Sequence, residues 1–219
     1  MKGNEMLDLF KKMTGDKVQS EEGDSSMFAG FLECFGEKPI EISDEKDPYN
    51  AFIDHFEGRS FGGGVFKVVE RADIPKWKED ILGLCLRRSE DGFRLFGYNW
   101  LGQFFAIDDQ EGKGHVIIID TDTTAYTDMG FLEYLNDELP ENPERSLHVT
   151  QYGEWVASHG PVDPGECVGY KVPFFLGGDD SPDNMEVIDM DVYWTMTGQL
   201  WRAYLGLPEG TKIGNVSFE

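Results

Sequence analysis

The amino-acid sequence predicts an α+β fold: a central antiparallel sheet flanked by helices in a single main domain. Three observations carry that expectation. Short apolar segments at 93–98, 103–108 and 115–120 are separated by glycine-containing or acidic turns. Connections that short demand antiparallel neighbours, because a parallel crossover needs about a dozen residues. Helical periodicity brackets this region on both sides, most clearly at Met190–Leu205.

Each element follows in order. Met6, Leu9, Phe10 and Met13 fall at helical spacing, and the polar run from Ser20 to Ser26 reads as a linker. Residues 1–26 are therefore expected as an N-terminal helix and linker, and 27–219 as the main domain. Phe28, Phe31, Leu32 and Phe35 mark a helix ending at Gly36, and Tyr49, Phe52, Ile53 and Phe56 another ending near Gly58. Three glycines, Gly62 to Gly64, lead into a strand over VFKVVE. Asp73 opens a helix with Pro75 in its first turn. The meander follows, with a fourth strand around Ala125 to Thr127. Leu132, Leu135 and Leu139 line a helix before Pro140, and Val149, Tyr152, Trp155 and Val156 line another before Gly160. Residues 165–178 are apolar but punctuated by glycine and proline, which predicts a loop with little regular structure. The last helix has Asp189 as N-cap and Gly206 just past its end, and its stripe predicts burial of Tyr193, Leu200, Trp201 and Tyr204. A short strand, 213–218, closes the chain.

Forty-two acidic residues face nineteen basic ones, a formal net charge of −23. Such a surface repels nucleic acid and anionic membranes and favours encounter with basic partners. Aromatic residues are 13% of the chain, enough to build a core despite the charge. Cys34, Cys85 and Cys167 are odd in number, far apart and without CxxC spacing, which indicates buried free thiols in a reducing, cytoplasmic setting. The opening MKGNEMLDLF lacks the apolar core of a signal peptide, and no run of ~18 apolar residues occurs.

The motifs of standard chemistry are missing. There is no GxSxG elbow, no HExxH pair among the four histidines, and no GK[ST] after the triple glycine. The glycines enter a strand instead of leaving one for a helix, so a steric or positive-φ requirement explains them better than phosphate binding. Two acidic loops, at Asp120–Asp122 and Gly178–Glu186, resemble calcium loops, but the first has Ala125 and Phe131 at the EF-hand glycine and glutamate positions and the second has Pro182 where a ligand is expected. No catalytic residue, metal site or cofactor is expected, and the chain reads as a binding protein and not an enzyme.

The blocks GRSFGGGVFKV (58–68), FGYNWLGQFFAID (96–108), GECVGYKVPFFLGGDD (165–180), NMEVIDMDVYWTMTGQLW (184–201) and LPEGTKIGNVSFE (207–219) occur in one order. This set resembles a bacterial domain family known as the C-terminal part of type VI secretion immunity proteins, which neutralise a DNase toxin and often adjoin a GAD-like region. The resemblance spans roughly 27–219. It implies a mixed α+β domain and self-protection by direct association with a basic protein toxin. It supplies no catalytic residues. The alternative expectation is a general protein-interaction or ligand-binding module without a toxin partner.

The two lines meet in the charge. A nuclease holds DNA through Lys and Arg, so an inhibitor gains by presenting carboxylates. The candidate binding surface is Asp179, Asp180 and Asp183, beside Phe174 and Phe175 as apolar anchors.

Overall fold

The computed structural model describes residues 26–42, 47–84, 92–110, 114–208 and 211. The expected helix and linker before Ser26, the closing strand and Cys85 lie outside the described residues.

The sheet is a six-stranded antiparallel meander in chain order. Its strands are β1 (Ser60–Phe61), β2 (Phe66–Val68), β3 (Phe93–Asn99), β4 (Phe104–Asp108), β5 (His115–Ile119) and β6 (Thr124–Gly130). The three segments of the expected meander are β3 to β5, and the fourth strand is β6. Between β1 and β2 the three glycines form one tight turn with φ of 55, 67 and 109°. A Cβ on Gly64 would fall 2.6 Å from the Val162 carbonyl oxygen, so both conformation and space require glycine.

Helices cover both faces. α1 (Ala29–Cys34), α2 (Pro48–Phe56) and α4 (131–141) lie on one side. There Phe28, Phe31, Phe52, Phe56 and Phe131 interlock edge to face around Phe66, Phe96 and Phe105. On the other side are α3 (Ile74–Leu84) and α7 (Met190–Leu205), whose Trp77 and Trp194 sit 5.2 and 5.1 Å from Phe104. Phe104 to Ile107 are consecutively buried because β4 is covered on both sides. A bulge between Leu95 and Gly97 resets the alternation of β3. Phe96 can thus join the phenylalanine cluster while Tyr98 reaches Phe104.

The helical run α4 departs from expectation. Its centre, Tyr134–Glu138, is a π turn, and the helix runs through Pro140 instead of stopping before it. The α-helical partner of the Asn136 carbonyl would be the N–H that Pro140 lacks. That carbonyl lies against α1 instead, where a Cβ on Gly30 would come within 2.1 Å of it. The Asn136 side chain accepts from the Phe31 amide (3.3 Å) and donates to the Met27 carbonyl (2.9 Å). α5 (Pro143–Leu147) and α6 (Val149–His159) follow, joined at His148, a left-handed residue with φ 49°.

Residues 165–178 correct the expectation of an irregular loop. Glu166–Tyr170 form β7, which pairs with β8 (Met185–Asp189) in a separate two-stranded sheet. Gly169 is there for close packing, since a Cβ would lie 2.5 Å from the Tyr193 ring. The hairpin is bound to the main sheet by the Val168 amide to the Trp100 carbonyl (2.7 Å) and by the buried Lys67 ammonium to the Glu166 carbonyl (3.0 Å).

α7 begins where expected. The Asp189 carboxylate accepts from the Asp191 and Val192 amides (3.0 and 3.1 Å). Its burial needs correction: Tyr193, Trp194 and Thr197 are buried, Leu200 and Trp201 are half-buried, and Tyr204 is exposed. Among the described residues, the aromatic partner of the C-terminal half of the stripe is Phe175 of a surface loop. Gly206 caps the end at φ −83°, not in the left-handed form.

Candidate functional site

The connection between β7 and β8, residues 171–184, carries all five sequence-predicted binding residues. Two short 3-10 turns, Phe174–Leu176 and Pro182–Asn184, shape it. Asn184 laces it together: its side chain accepts from the Val172 amide (3.0 Å) and donates to the Val172 and Asp179 carbonyls (3.0 and 2.8 Å). A Cβ on Gly178 would sit 1.7 Å from the Val172 carbonyl oxygen, so the loop closes only over glycine. Lys171 donates its ammonium to the Asp183 carbonyl (2.9 Å).

The five residues sit in different surroundings. Asp179 accepts from the amide and hydroxyl of Ser181 (3.2 and 2.6 Å), which holds its carboxyl below the usual range and orders the turn. Asp183 is exposed at the rim. Phe174 is 49% exposed, with its ring 4.5 Å from Tyr170. Phe175 turns the other way, onto Trp201 and Tyr204 at 5.0 and 5.5 Å. The sequence run Phe-Phe thus splits between an outward anchor and a contact that covers the end of α7.

Asp180 and Phe174 also border a cleft of about 170 Å³ with residues from several other places in the chain. From the start of β4 and the end of β5 come the flanking Gln103 and Asp120, joined by the Gln103 amide donating to the Asp120 carboxylate (2.8 Å). From the α5–α6 corner come His148 and Gln151. Tyr170 of β7 and Tyr193 of α7 complete the wall. Asp180 accepts from Gln151 (2.9 Å) and from the Tyr170 hydroxyl (2.8 Å), which ties the loop to α6. Burial pushes the Tyr170 hydroxyl up, helped by its bond to Asp180 and by the charges of Asp180 and Asp120. Burial likewise pushes up Tyr193, with Asp120 the first charge to add to it. Asp122 is raised by burial and then by Asp120.

Sequence reading found Asp120 only as part of a weak calcium-like loop and did not connect it to Asp180. Among the described residues, no three His, Cys, Asp or Glu side chains converge as a metal-ligand set. No helix among them is long and apolar enough to cross a membrane.

The crystal structure of Atu4351 from Agrobacterium tumefaciens is similar over 88% of both chains, with 15% identity and a TM-score of 0.49. No curated protein matches the chain. Residues 129–201, from the end of β6 through most of α7, carry the His148, Gln151, Tyr170, Phe174, Asp180 and Tyr193 side of the cleft. That stretch matches the family model described as the T6SS immunity protein Tdi1, C-terminal, and is consistent with a type VI secretion immunity-protein domain.

Proposed function

We propose that the protein neutralises a cognate toxin, a nuclease effector of type VI secretion, by direct association in the cytoplasm and without catalysis. The observation that carries this reading is the match of residues 129–201 to the immunity-protein family. The charge of −23 supports a basic partner of the kind that binds DNA. The toxin-facing surface is the 171–184 connection, with Asp179, Asp180 and Asp183 at the rim, Phe174 as the outward anchor, and Phe175 as support through α7.

Rim carboxylates mainly speed encounter, and their effect fades as salt rises past ~0.15 M, where the Debye length is about 8 Å. An apolar anchor mainly slows dissociation. The test is co-expression with a candidate toxin encoded next to this gene, followed by binding kinetics. The wild-type protein restores growth and co-purifies with the toxin. The triple Asp→Asn variant at 179, 180 and 183 associates more slowly at low salt, and Phe174→Ala dissociates faster. Failure of the wild-type protein to rescue or to bind refutes the reading. Rescue with unchanged kinetics in both variants refutes the surface alone.

A further inference from the structure

The cleft beside the 171–184 connection holds more unsatisfied polar capacity than a surface depression needs. Tyr193 is only 6% exposed, lines the cleft, and its hydroxyl has no hydrogen-bond partner among the described residues. That hydroxyl keeps access to the cleft, so an occupant can reach it and donate to it. Asp120 and Asp180 border the same space, and among the described residues neither has a cationic partner. Each accepts from neutral donors, Asp120 from Gln103 and the Thr121 amide and Asp180 from Gln151 and Tyr170, which leaves lone pairs on both carboxylates. Tyr170 lines the cleft with them, and after burial and its bond to Asp180 the charges of both acids raise its hydroxyl. The Tyr170 and Phe174 rings, 54° apart, form an aromatic corner at the mouth.

Two separated carboxylates, a hydroxyl acceptor and an aromatic corner match one chemistry: a flat cation with several N–H donors. A guanidinium provides five donors in a rigid plane and stacks on aromatic faces, whereas an ammonium is a compact point charge. Size agrees. Pockets for drug-sized ligands run to roughly 300–1,000 Å³, whereas this one holds about 170 Å³. That is space for one side-chain head and its first methylenes, not for a nucleotide.

We propose that this cleft is a guanidinium receptor, occupied in the complex by an arginine side chain of the toxin. Asp120 and Asp180 accept its N–H groups from two sides, the Tyr193 oxygen accepts from the innermost one, and Tyr170 and Phe174 cover its plane. The source of the arginine, though not the chemistry of the cleft, rests on the toxin-binding reading above. It gives Asp180 and Phe174 a shared role and brings in Asp120, which flanks the end of β5 outside the family-matched stretch.

Two measurements test it. In the first, the isolated full-length protein is titrated with ethylguanidinium chloride and, as a control of equal charge, propylammonium chloride, by NMR. Saturable binding is expected for ethylguanidinium in preference to propylammonium. Asp120→Asn and Asp180→Asn should each weaken it by about tenfold, the loss of a bond to a charged group. Tyr193→Phe should weaken it by a smaller factor. Asp120→Asn leaves the loop contacts of Asp180 intact, so it stands if Asp180→Asn disturbs the loop. No saturable binding, equal binding of the two cations, or binding indifferent to both acid variants overturns the proposal. In the second, the same variants are measured against the toxin, with faster dissociation expected for Asp120→Asn. Toxin binding that is unchanged in both acid variants overturns arginine as the occupant. If the wild-type protein does not bind the toxin while the titration remains saturable and carboxylate-dependent, the toxin reading fails and the cleft stands as a site for a free alkylguanidinium.

Discussion

Lys67 offers the sharpest test of the energetics. Its side chain is 2% exposed, in the centre of β2, with its ammonium on the Glu166 carbonyl and 5.4 Å from the Tyr98 ring centroid. Burial pushes it from 10.5 down to about 8, and Cys167, Glu166 and Asp163 restore only part of the loss. The gap between 10.5 and about 8, at about 1.4 kcal/mol per factor of ten in proton affinity, amounts to about 3 kcal/mol. Its sign follows from which state holds the proton. Between those two values the unfolded chain keeps the proton that the folded protein has released, so this group makes stability rise with pH across that window. Below about 8 the folded protein carries the full cost of a buried charge. Lys67→Met removes that cost and forfeits one hydrogen bond, worth about 1 kcal/mol. The variant should therefore be more stable than the wild type by about 1–2 kcal/mol at pH 7. The gap should shrink or reverse near pH 10, above the folded value but close to the unfolded one. Urea unfolding of both proteins at the two pH values measures it, and the pH responses of all other groups cancel in the difference. A variant that is less stable at pH 7 by the same amount as at pH 10 would refute the reasoning. The ammonium's bond and its contact with Tyr98 would then outweigh its burial.

Further expectations concern packing and reactivity. Trp194→Ala should cost about 3–5 kcal/mol, because the ring is fully buried and its indole N–H donates to the Gly102 carbonyl at 2.9 Å. Half-buried Trp201 should cost only about 1–2 kcal/mol when replaced by Ala, and chemical denaturation compares the two. Gly178→Ala should destabilise by about 2–3 kcal/mol in the same assay, since the new methyl would collide with the Val172 carbonyl. Cys34, whose thiol burial pushes up to about 12, and Cys167, pushed up further by burial, should resist a thiol-disulfide reagent at pH 8 until the protein is unfolded. Rapid native modification at either position would contradict their burial.

The parts of the fold that the sequence disclosed are those with local causes. Asp189 caps α7 through its own side chain, and the short turns between β3, β4 and β5 leave no topology but antiparallel neighbours. Where a distant partner decides, the pattern misleads. Gly169 looks like a breaker but is a strand residue thinned to admit Tyr193. Trp201 and Trp194 share one helical stripe, yet Trp194 meets Phe104 of the sheet and Trp201 meets Phe175 of a surface loop. The candidate site divides the same way. The acidic, aromatic character of the 171–184 connection was visible, but the separate directions of Phe174 and Phe175 follow from a backbone turn that composition does not encode. The approach of Asp120 to Asp180 depends on β5, β7 and α6 meeting in space, and no periodicity links them.

The seat of α1 on the π turn has a consequence for how the protein is made. The groups that receive Met27 and Phe31 belong to Asn136, which lies 109 and 105 positions further along the chain. At ~5–20 residues per second, a nascent chain waits ~5–20 s between making this helix and making its berth. During that interval Phe28 and Phe31, fully enclosed in the finished molecule, can meet Phe52, Phe56 and Phe61 but not Phe131 or the Asn136 seat. The first described helix thus gains its polar berth only when α4 has been made, and until then part of its phenylalanine face stays open.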